Sequence, residues 1–550
     1  MRTVPNDAAS WDEIRRRFRW RVPRYFNMAA ACCDRHAADR SRLALCYEDE
    51  QGVRQQYTFW DIRRRANQLA NVLTAIGVRR GDRVGIVMPQ QPETAITHMG
   101  VYKIGGIAVP LAEVFQEDAL RYRLSNSGAK AVVVDAANLH KIHAIRADLG
   151  DLEHVLLVGG APEKGAIDFD RALDAASHRF ETLRTRADDP ALIIYTSGTT
   201  GNPKGALHAH RVLLGHLPGF ELSHDFFPQR GDLSWTPADW AWIGGLLDLL
   251  LPSWYHGVPV VAHRARKFDP ERVLHLMATH GVRNVFMPPT ALRLLRQVPD
   301  IRGRFDVDLR TIMSGGEALG AEVLAWGRET FGVTINEIYG QTEVNYVVGN
   351  CARVMEVRPG SMGKPYPGHD VEIIDDEGKP LPTGEVGEFA FRRGDDPVFF
   401  LGYFNDPEAT AGKFKDGWAC SGDTGYRDAD GYLWFRGRKD DVIGSAGYRI
   451  GPTEVEESLI KHPAVALAAV VGSPDELRGA IVKAFVKLAP GYTASESLAA
   501  ELQQFVKSRL AAHEYPREVE FVADLPMTTT GKIRRRDLRL LEEQRKGKLP

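Results

Sequence analysis

The chain has 550 residues, more than one hydrophobic core accommodates, so its length predicts several structural units. The charges of its 70 basic and 72 acidic residues nearly cancel, so the net charge of the chain gives no reason to expect binding to nucleic acid or to an acidic membrane. The five cysteines lack metal-ligand spacing, and an odd number of thiols in a long chain suits a reducing compartment, so we expect a cytoplasmic protein. We expect neither a secretory signal nor a membrane span, because no apolar run is long enough.

Hydrophobic periodicity organises the first 340 residues. Amphipathic patterns predict an N-terminal arm of two helices, over residues 11–19 and 26–38. Strands then alternate with helices, as is typical of a mainly parallel sheet with helices on its faces. The predicted helices span 59–76 and 92–104, and the predicted strands span 83–88, 108–111, 131–134, 191–195, 233–236, 258–262, 284–287, 311–313 and 337–339. In such sheets, ligands bind beyond the C-terminal ends of the strands.

The pattern changes beyond residue 355. Short alternating strands near 370–375, 388–392 and 432–436 predict a small antiparallel β unit. A charged break at 436–441 follows, and then helices at 453–461 and 497–512 with strands at 465–471 and 480–488 predict a compact α+β unit. The charged tail at 534–548 reads as a solvated helix. We therefore predict an N-terminal domain of residues 1–439 and a C-terminal domain of residues 440–550.

A loop of glycines and hydroxyl side chains, YTSGTTGNPKG at 195–205, follows the strand at 191–195. Glycines at 198, 201 and 205 allow successive backbone N–H groups to face an anion, and the hydroxyls with Lys204 add donors and charge. It is not a Walker A loop, because Pro203 stands where the second glycine belongs and no Ser or Thr follows Lys204. The loop therefore predicts phosphate binding.

This loop closely resembles the signature loop of the adenylate-forming superfamily. Further stretches resemble that superfamily in the same order, namely SGGEA at 314–318, EIYGQTE at 337–343, SGD at 421–423 with Arg438, GYR at 447–449 and PMTTTGKI at 526–533. The resemblance covers residues from about 50 to 540. It implies an α/β fold with a large N-terminal domain of stacked, mainly parallel sheets, a small β-barrel-like unit, and a small mobile α+β C-terminal domain.

The resemblance also implies the ATP site. Tyr339 is expected to pack on adenine, Thr342 to contact the α-phosphate, and Asp423 with Arg438 to grip the ribose hydroxyls. The expected catalytic residues are Lys532, Glu343 and Thr342, and Glu343 with Thr200 is expected to bind Mg²⁺, a hard cation that prefers oxygen ligands. The full predicted ATP site comprises Thr196, Ser197, Gly198, Thr199, Thr200, Gly201, Lys204, Gly316, Glu317, Ala318, Glu337, Ile338, Tyr339, Gly340, Gln341, Thr342, Asp423, Arg438, Arg449 and Lys532.

The C-terminal motifs imply a CoA site and a hinge. Asp440 occupies the position about which the C-terminal domain of this superfamily swings, and hinges are few and lie at element ends. The predicted CoA contacts are Ala446, Gly447, Tyr448, Arg449, Arg478 and Lys507. One departure is that Gly444 and Ala446 replace an Asn and a Ser that are common in related enzymes, which affects local hydrogen bonds.

The register of the motifs also implies an acyl pocket lined by Trp242, Ile243, Gly244, Gly315 and Gly340. Acetyl-CoA synthetases carry a Trp at the position of Gly340, and a Trp buries roughly 150 to 250 Å². The missing side chain is therefore expected to leave room for several methylenes. Because each methylene that fits is worth about 1 to 3 kcal/mol of discrimination, acetate is disfavoured.

The implied activity is that of an AMP-forming acyl-CoA synthetase, most similar to medium-chain acyl-CoA synthetases, that uses ATP, Mg²⁺ and CoA. The expected substrate is a short- to medium-chain carboxylic acid larger than acetate, with no nucleic-acid partner. One alternative is an enzyme that adenylates an aryl or amino acid and loads it onto a carrier protein, but no Asp follows Trp235 closely to anchor an amino group. The other is a non-catalytic nucleotide-binding relative, against which the presence of Glu343, Asp423 and Lys532 argues.

Overall fold

The computed structural model describes residues 2–161, 163–196, 202–265, 267–441, 443–445, 448–475, 479–510, 514–528 and 532–547. The chain folds into two compact units, a larger one of residues 1–370 and 392–414 and a smaller one of residues 371–391 and 415–550. Both units combine sheets with helices, which confirms the predicted α/β class. That a mobile C-terminal domain begins at residue 440 stays a prediction.

The strands, in chain order, are β1 (Leu43–Glu48), β2 (Arg54–Thr58), β3 (Arg83–Val87), β4 (Ile107–Pro110), β5 (Ala129–Asp135), β6 (His154–Val158), β7 (Ile167–Asp168), β8 (Pro190–Thr196), β9 (Lys204–Ala209), β10 (Ser234–Trp235), β11 (Val260–His263), β12 (Asn284–Phe286), β13 (Thr311–Gly315), β14 (Ile335–Gln341), β15 (Asn345–Gly349), β16 (Lys364–Pro365), β17 (Val371–Ile374), β18 (Gly387–Arg392), β19 (Gly402–Tyr403), β20 (Phe414–Lys415), β21 (Trp418–Arg427), β22 (Leu433–Arg438), β23 (Ile443–Ser445), β24 (Tyr448–Ile450), β25 (Val465–Asp475), β26 (Gly479–Leu488) and β27 (Glu518–Phe521).

The α-helices are α1 (Trp11–Arg17), α2 (Phe59–Ala75), α3 (Pro92–Lys103), α4 (Glu117–Ser127), α5 (Leu139–Ile145), α6 (Phe169–Ala175), α7 (Val212–Ser223), α8 (Ile243–Gly245), α9 (Leu251–Tyr255), α10 (Pro270–His280), α11 (Pro289–Leu295), α12 (Ile301–Arg304), α13 (Ala321–Phe331), α14 (Pro407–Gly412), α15 (Pro452–Ile460), α16 (Glu496–Lys507) and α17 (Arg535–Arg545). Two π-helical segments, Ala30–Asp34 and Leu246–Leu250, and two 3₁₀ turns, Arg146–Asp148 and Lys439–Asp441, complete the helical elements of the described residues.

Two large sheets build the larger unit. The nine-stranded sheet has the order β16-β15-β14-β13-β12-β10-β11-β1-β2, and the eight-stranded sheet has the order β19-β9-β8-β4-β3-β5-β6-β7. Parallel pairs predominate, as predicted, because the crossover helices bury both faces of each sheet. The helix α7, buried along its whole length, belongs to the main hydrophobic core.

The smaller unit also contains two sheets. In the first, β17, β18, β21 and β22 pair antiparallel, which confirms the antiparallel strands predicted beyond residue 355. In the second, the order is β24-β23-β26-β25, with β27 parallel to β26. The helices α15 and α16 cover this second sheet through a core that includes Val455, Leu459 and Leu502.

The N-terminal arm departs from the prediction. The structure has a short π-helix, Ala30–Asp34, where a helix over 26–38 was expected. Its start is fixed by Asn27, whose side chain accepts a hydrogen bond from the Ala29 backbone N–H (2.9 Å) and donates to the carbonyl oxygen of Tyr102 (2.8 Å). Tertiary anchoring of this kind overrides a local helical pattern. Among the described residues, no helix combines the length and the hydropathy that a bilayer crossing requires.

Candidate active site

Three neighbouring parallel strands of the nine-stranded sheet end side by side. Phe286 of β12 is in register with Met313 of β13, and Gly315 of β13 is in register with Ile338 of β14. The C-terminal ends therefore lie at one edge, where open α/β sheets bind ligands. We call the partly exposed residues at this edge, 316–318 and 339–342 together with 242–244, the strand-end surface. Three groups of predicted site residues are thus brought together.

Glu343, just beyond β14, is buried and held in place. It is 8% exposed; Oε1 accepts a hydrogen bond from the Tyr403 hydroxyl, and its carbonyl oxygen accepts one from the Phe400 backbone N–H (2.9 Å). The Lys204 ammonium lies 5.3 Å from the centre of the Tyr403 ring, so Tyr403 stands between the predicted magnesium ligand and the predicted phosphate ligand. A carboxylate oriented in this way fits Mg²⁺, which takes one or two protein carboxylates and completes its shell with water and phosphate oxygens.

The predicted phosphate loop joins two antiparallel strands. Thr196, at the end of β8, pairs with Lys204, at the start of β9, so the ends of the loop are fixed by the sheet. Ser197, Gly198, Thr199, Thr200 and Gly201 lie outside the described residues. Gly205 lies within β9, and a Cβ there would be 2.8 Å from Cγ2 of Ile193 and 3.2 Å from the Tyr195 ring. Close strand packing by itself accounts for a glycine at this position.

The segment at 316–318 is anchored by α11. Both carboxylate oxygens of Glu317 accept the Thr290 hydroxyl (3.0 Å), and Oε2 also accepts from Arg293 (3.1 Å). Arg293 in addition donates to the carbonyl oxygen of Ala318 (2.8 Å). Gly316 has φ of +95°, a left-handed conformation that L side chains rarely adopt. The side chain of Glu317 therefore holds the segment, which leaves the backbone as the part that can face a nucleotide.

An open cavity of about 470 Å³ lies elsewhere in this unit, lined in part by Asp225, Arg310, Val333 and Thr334. Arg310 and Thr334 immediately precede β13 and β14, so this cavity lies at the N-terminal ends of the strands. It is therefore distinct from the strand-end surface, where the sequence motifs converge.

The smaller unit contains the predicted ribose pair. Asp423 on β21 lies opposite Arg438 on β22, and Nε of Arg438 is 3.5 Å from Oδ1 of Asp423. Asp423 is 5% exposed, and its backbone N–H donates to the Ser421 hydroxyl (2.9 Å). Glu388 supports this turn, because it accepts hydrogen bonds from the Gly422 N–H (2.8 Å) and from Lys439 (3.0 Å). A carboxylate with a neighbouring guanidinium is suited to two vicinal hydroxyls.

Lys532 is exposed on a turn of the smaller unit. The turn is closed by hydrogen bonds from the Thr528 N–H to the Lys532 carbonyl oxygen (2.7 Å) and from the Lys532 N–H to the Thr528 hydroxyl (3.0 Å), beside a bridge between Met527 and Ile533. The helix α17 starts directly after it, and Arg535 and Arg539 of that helix form ion pairs with Asp441 (3.6 and 3.0 Å). The backbone around Lys532 is thus fixed although its side chain reaches solvent.

Two family profiles match the chain. The AMP-binding enzyme profile matches residues 33–404, and the profile of the AMP-binding enzyme C-terminal domain matches residues 454–532. The chain belongs to the AMP-binding enzyme family. This AMP-binding enzyme is 39% identical over 524 residues to the acetyl-coenzyme A synthetase of Bacillus subtilis (strain 168), across 94% of this chain and 90% of the relative. It is 38% identical over 531 residues to the mitochondrial acyl-coenzyme A synthetase ACSM4 of Homo sapiens, across 94% and 91%.

Solved structures agree with this assignment. The anthranilate CoA ligase AuaEII in complex with anthranoyl-AMP superposes with a TM-score of 0.87 at 30% identity, covering 96% of this chain and 99% of that one. A benzoate CoA ligase from Burkholderia xenovorans LB400 superposes with a TM-score of 0.82 at 29% identity, covering 94% and 100%. The AMP-binding enzyme is therefore a ligase of the acyl-CoA synthetase class, whose cofactors are ATP, Mg²⁺ and CoA.

The structure corrects the expected acyl pocket at its three glycines. A Cβ on Gly340 would overlap the backbone carbonyl of Asn345, one on Gly315 would lie 2.7 Å from the carbonyl oxygen of Ile338, and one on Gly244 would lie 2.8 Å from the Phe286 ring. Real Cβ contacts are not this short, so these glycines permit close packing and do not leave a free volume of their own. The prediction that the missing side chain of Gly340 leaves the space of a Trp is therefore wrong in its geometry.

Trp242 and Ile243 remain candidates for the acyl side. Trp242 is half-buried, caps α8 and meets the Phe115 ring edge-on, with centroids 5.5 Å apart. Its backbone N–H donates to the carbonyl oxygen of Asp239 (3.1 Å). Burial raises the pKa of Asp239 to about 7, with an opposing hydrogen bond from the Ala241 N–H and a further increase from the negative charge of Glu113.

The predicted CoA contacts are only partly within the described residues. Ala446, Gly447 and Arg478 lie outside them. Tyr448 and Arg449 belong to β24, and Asp440 belongs to the 3₁₀ turn Lys439–Asp441, so the backbone path of these three residues is defined. Lys507 ends α16, and its ammonium lies 5.2 Å from the centre of the Tyr515 ring.

Proposed function

We propose that this AMP-binding enzyme joins a carboxylic acid larger than acetate to CoA through an acyl-adenylate. The observation that supports it most directly is the arrangement around Tyr403, which positions Glu343 beside Lys204 at the end of β14. A fixed carboxylate and an ammonium are the groups that phosphoryl chemistry requires, one for a cation and one for a phosphate. The family assignment supports the same chemistry.

In the first half-reaction, the substrate carboxylate attacks the α-phosphorus of ATP and pyrophosphate leaves. The barrier comes from charge and alignment, since an anion approaches a polyanion. Thr342 orients the α-phosphate, Lys204 and Lys532 offset the negative charge, and the backbone at 316–318 with Tyr339 holds the adenine. Bound Mg²⁺ would be held by Glu343 and Thr200 and would neutralise charge on the phosphate oxygens. Asp423 and Arg438 fix the ribose.

In the second half-reaction, the CoA thiol attacks the carbonyl carbon of the adenylate, AMP leaves, and the thiol proton passes to solvent. A thiol with a reference pKa of about 8.5 provides a usable thiolate fraction at neutral pH. We propose that residues 440–550 turn about Asp440 between the two steps and that Ala446, Gly447, Tyr448, Arg449, Arg478 and Lys507 contact CoA. Lys532 then serves the first step alone.

The size of the acid is proposed from the residue at position 340. No aromatic side chain can extend from Gly340, because Asn345 fills the Cβ position, so this residue does not limit the acid as a Trp would. Trp242 and Ile243 supply the partly exposed apolar wall. The relatives include both an acetyl-coenzyme A synthetase and an acyl-coenzyme A synthetase, so the proposed size rests on the absence of an aromatic side chain at position 340 and on the apolar wall of Trp242 and Ile243.

An aromatic acid is the second candidate. Two structural neighbours are an anthranilate CoA ligase and a benzoate CoA ligase, and the structure of this chain superposes on both over at least 94% of its length. The ring edges of Trp242 and Phe115 offer an aromatic wall of the kind that suits a planar acid. A cytoplasmic location is proposed as well, supported by five cysteines that all carry free thiols.

A screen of carboxylic acids tests the proposal. The purified full chain is assayed for acid-dependent pyrophosphate release with ATP and Mg²⁺, using acetate, butyrate, hexanoate, octanoate and benzoate, and then for acyl-CoA once CoA is added. We expect kcat/KM to rise by at least about tenfold from acetate to the best acid, since each accommodated methylene is worth about 1 to 3 kcal/mol. A preference for acetate would contradict the proposed size, and pyrophosphate release without acyl-CoA would contradict the ligase step.

A further inference from the structure

A buried carboxyl group lies beneath the acyl side of the strand-end surface. Asp248 is 4% exposed and belongs to the π-helix Leu246–Leu250, which continues α8. The side-chain amide of Asn345 donates a hydrogen bond to Oδ1 of Asp248. Within the described ranges of the chain, no hydrogen bond or ion pair reaches the second oxygen, Oδ2. Half of the hydrogen-bonding capacity of a buried carboxyl group is therefore unused.

Oδ2 of Asp248 faces the side of the helix on which Gly244 lies. A Cβ built on Gly244 would be 3.8 Å from Oδ2 and 2.8 Å from Cε1 of Phe286. Gly244 is partly exposed and belongs to the strand-end surface, and the Phe286 ring packs on the same side of the helix. The carbonyl group of Asn345 fills the Cβ position of Gly340. Asp248 and its partner therefore touch two of the positions predicted to line the acyl pocket.

The surroundings of Asp248 are mainly apolar, and the nearby ionisable group on Tyr346, another of the described residues, makes no hydrogen bond to it. The leucines on either side of Asp248 in the chain are 0% exposed, and Phe286 is 5% exposed. A polar group left unpaired in such a place costs about 1 to 3 kcal/mol. Burial raises the pKa of Asp248 well above its usual range, and the hydrogen bond from Asn345 opposes this only in part. Burial therefore favours the protonated, neutral form of this carboxyl group.

Two other buried carboxylates in the described part of the larger unit use both of their oxygens. Both oxygens of Asp232 accept from Arg310 (2.8 Å each), and both oxygens of Glu221 accept backbone N–H groups of Thr3 or Val4 (2.8 to 2.9 Å). Those acids anchor loops and termini. Asp248 differs from these two acids because its open oxygen lies on the side of the helix that Gly244 occupies, 3.8 Å from the Cβ position of that glycine.

We propose that Asp248 determines the acyl specificity, and that the preferred acid carries a hydroxyl or amino group which hydrogen-bonds to Oδ2. This inference rests on the proposed function, since it names the class of acid that the same site activates. A hydroxyl would pair with the protonated carboxyl, whereas an amine would take its proton and form an ion pair. In both cases the substrate supplies the hydrogen-bond partner that Oδ2 of Asp248 lacks within the described part of the chain. Asn345, with φ of +44°, holds the other oxygen from a conformation that Asn tolerates better than most side chains.

The expected discrimination is large. A site built to hydrogen-bond a polar substrate group rejects the analogue that lacks it by as much as about 10⁴ to 10⁵ in kcat/KM, because the buried group is then left unpaired. Asp248 already has Asn345 on one oxygen, so we expect a smaller factor of about 10 to 10³. The carbon that carries the substituent is to be found by testing a series of substituted acids, because the identity of residue 248 does not determine it.

The experiment compares matched acids on the wild-type chain. Acid-dependent exchange of labelled pyrophosphate into ATP is measured for hexanoate and octanoate with hydroxyl or amino groups at successive carbons, and for benzoate with the same groups at each ring position. At least one substituted acid is expected to exceed its parent by tenfold or more in kcat/KM, and the hydroxyl and amino arms identify the kind of partner. If every parent acid equals or exceeds all of its substituted forms, the inference is overturned while the proposed function stands. Absence of exchange with every acid overturns both.

Two substitutions complete the test. In Asp248→Leu, the advantage of the preferred acid should fall to within about threefold of its parent, measured as the ratio of the two kcat/KM values in the same variant. Asp248→Asn, which is closer in shape, should alter the ratio between hydroxyl-substituted and amino-substituted acids, since an amide cannot give up a proton to an amine and therefore cannot form the ion pair. An equal loss for all acids in both variants, with a normal melting curve, would assign Asp248 to the support of Asn345 alone and overturn the inference.

Discussion

The strand-end surface of the larger unit and the lysine turn of the smaller unit hold their functional groups in opposite ways. Glu343 is buried and fixed by Tyr403 and Phe400, and Glu317 is fixed by Thr290 and Arg293. Lys532 instead is exposed, and its backbone N–H is held by the Thr528 hydroxyl. We infer from this difference that the groups proposed to orient the nucleotide are placed before it binds, whereas Lys532 is proposed to provide a charge for one step. Substitutions at the surface should therefore affect binding and both half-reactions, and those at the turn only one.

The largest effect is expected for Lys532→Ala. Loss of a charge that stabilises the developing transition state should lower the rate of adenylation by about 10² to 10³. Formation of acyl-CoA from synthetic acyl-adenylate should remain within a few-fold of wild type, because no phosphate charge builds up there. Lys461→Ala, another exposed lysine of the same unit, is the matched control for a general loss of charge. An equal loss in both half-reactions of the Lys532 variant would contradict its assigned role.

Glu343→Gln should have the next largest effect. The amide keeps the shape of the side chain and an acceptor for Tyr403 but removes the negative charge, so the Mg²⁺ concentration for half-maximal activity should rise by about 10- to 100-fold. Tyr403→Phe should shift it less, about three- to tenfold, because the carboxylate remains but loses its orientation. The measurement is a Mg²⁺ titration of pyrophosphate exchange. An unchanged titration curve for Glu343→Gln would remove Glu343 from the metal site.

Gly340→Ala tests the corrected view of the acyl side. The added methyl group would overlap the carbonyl of Asn345, so β14 and β15 would have to shift, at a cost of about 1 to 3 kcal/mol in the free energy of unfolding. Gly150→Ala is the control, because nothing lies within 4 Å of its Cβ position. Both variants are compared by chemical denaturation. If Gly340→Ala is as stable as Gly150→Ala and binds longer or shorter acids instead, the position opens to the pocket after all.

The smallest effect is expected for Asp239→Asn, in its dependence on pH. The pKa of Asp239 is raised to about 7 in the folded chain, above the usual value of about 3.9, so the folded state binds more protons between these values. The contribution of this acid to stability therefore falls as pH rises from about 4 to about 7. The asparagine variant, which keeps the acceptor for the Ala241 N–H, should be more stable than wild type by about 1 kcal/mol at pH 8 and equal at pH 4. If the difference in the free energy of unfolding between the variant and wild type did not depend on pH, Asp239 would be solvated in the folded chain and the account of its burial would be wrong.

Much of the fold could be predicted from the sequence, because the patterns that indicate helices, strands and motifs involve residues that are close together in the chain. The strand motif at 337–343 was predicted from adjacent residues, and the structure places it on β14 as expected. The residues that support the site were missed because they are distant in sequence. Tyr403 is 60 residues from Glu343, and Glu388 is 34 residues from Gly422, and neither stands in a motif of its own.

The glycines show a different limit. A glycine in the sequence reports that a side chain is missing but not the direction in which the Cβ would point. At Gly340 that direction is toward Asn345, a contact fixed by the β-bulge between β14 and β15, and no local pattern predicts it. The open oxygen of Asp248 could not be predicted from the sequence either. In the sequence, an Asp within an apolar run only interrupts the hydrophobic pattern, and its hydrogen-bond partners are known only from the structure.

The central claim is that the acid is activated as an adenylate, and an isotope measurement tests it most directly. The preferred acid, labelled with ¹⁸O in both carboxylate oxygens, is converted to acyl-CoA with ATP and CoA, and the nucleotide and phosphate products are analysed by mass spectrometry. Attack on the α-phosphorus predicts one ¹⁸O atom in AMP and none in pyrophosphate. Label in inorganic phosphate with ADP as the nucleotide product would show an acyl-phosphate route and contradict the account.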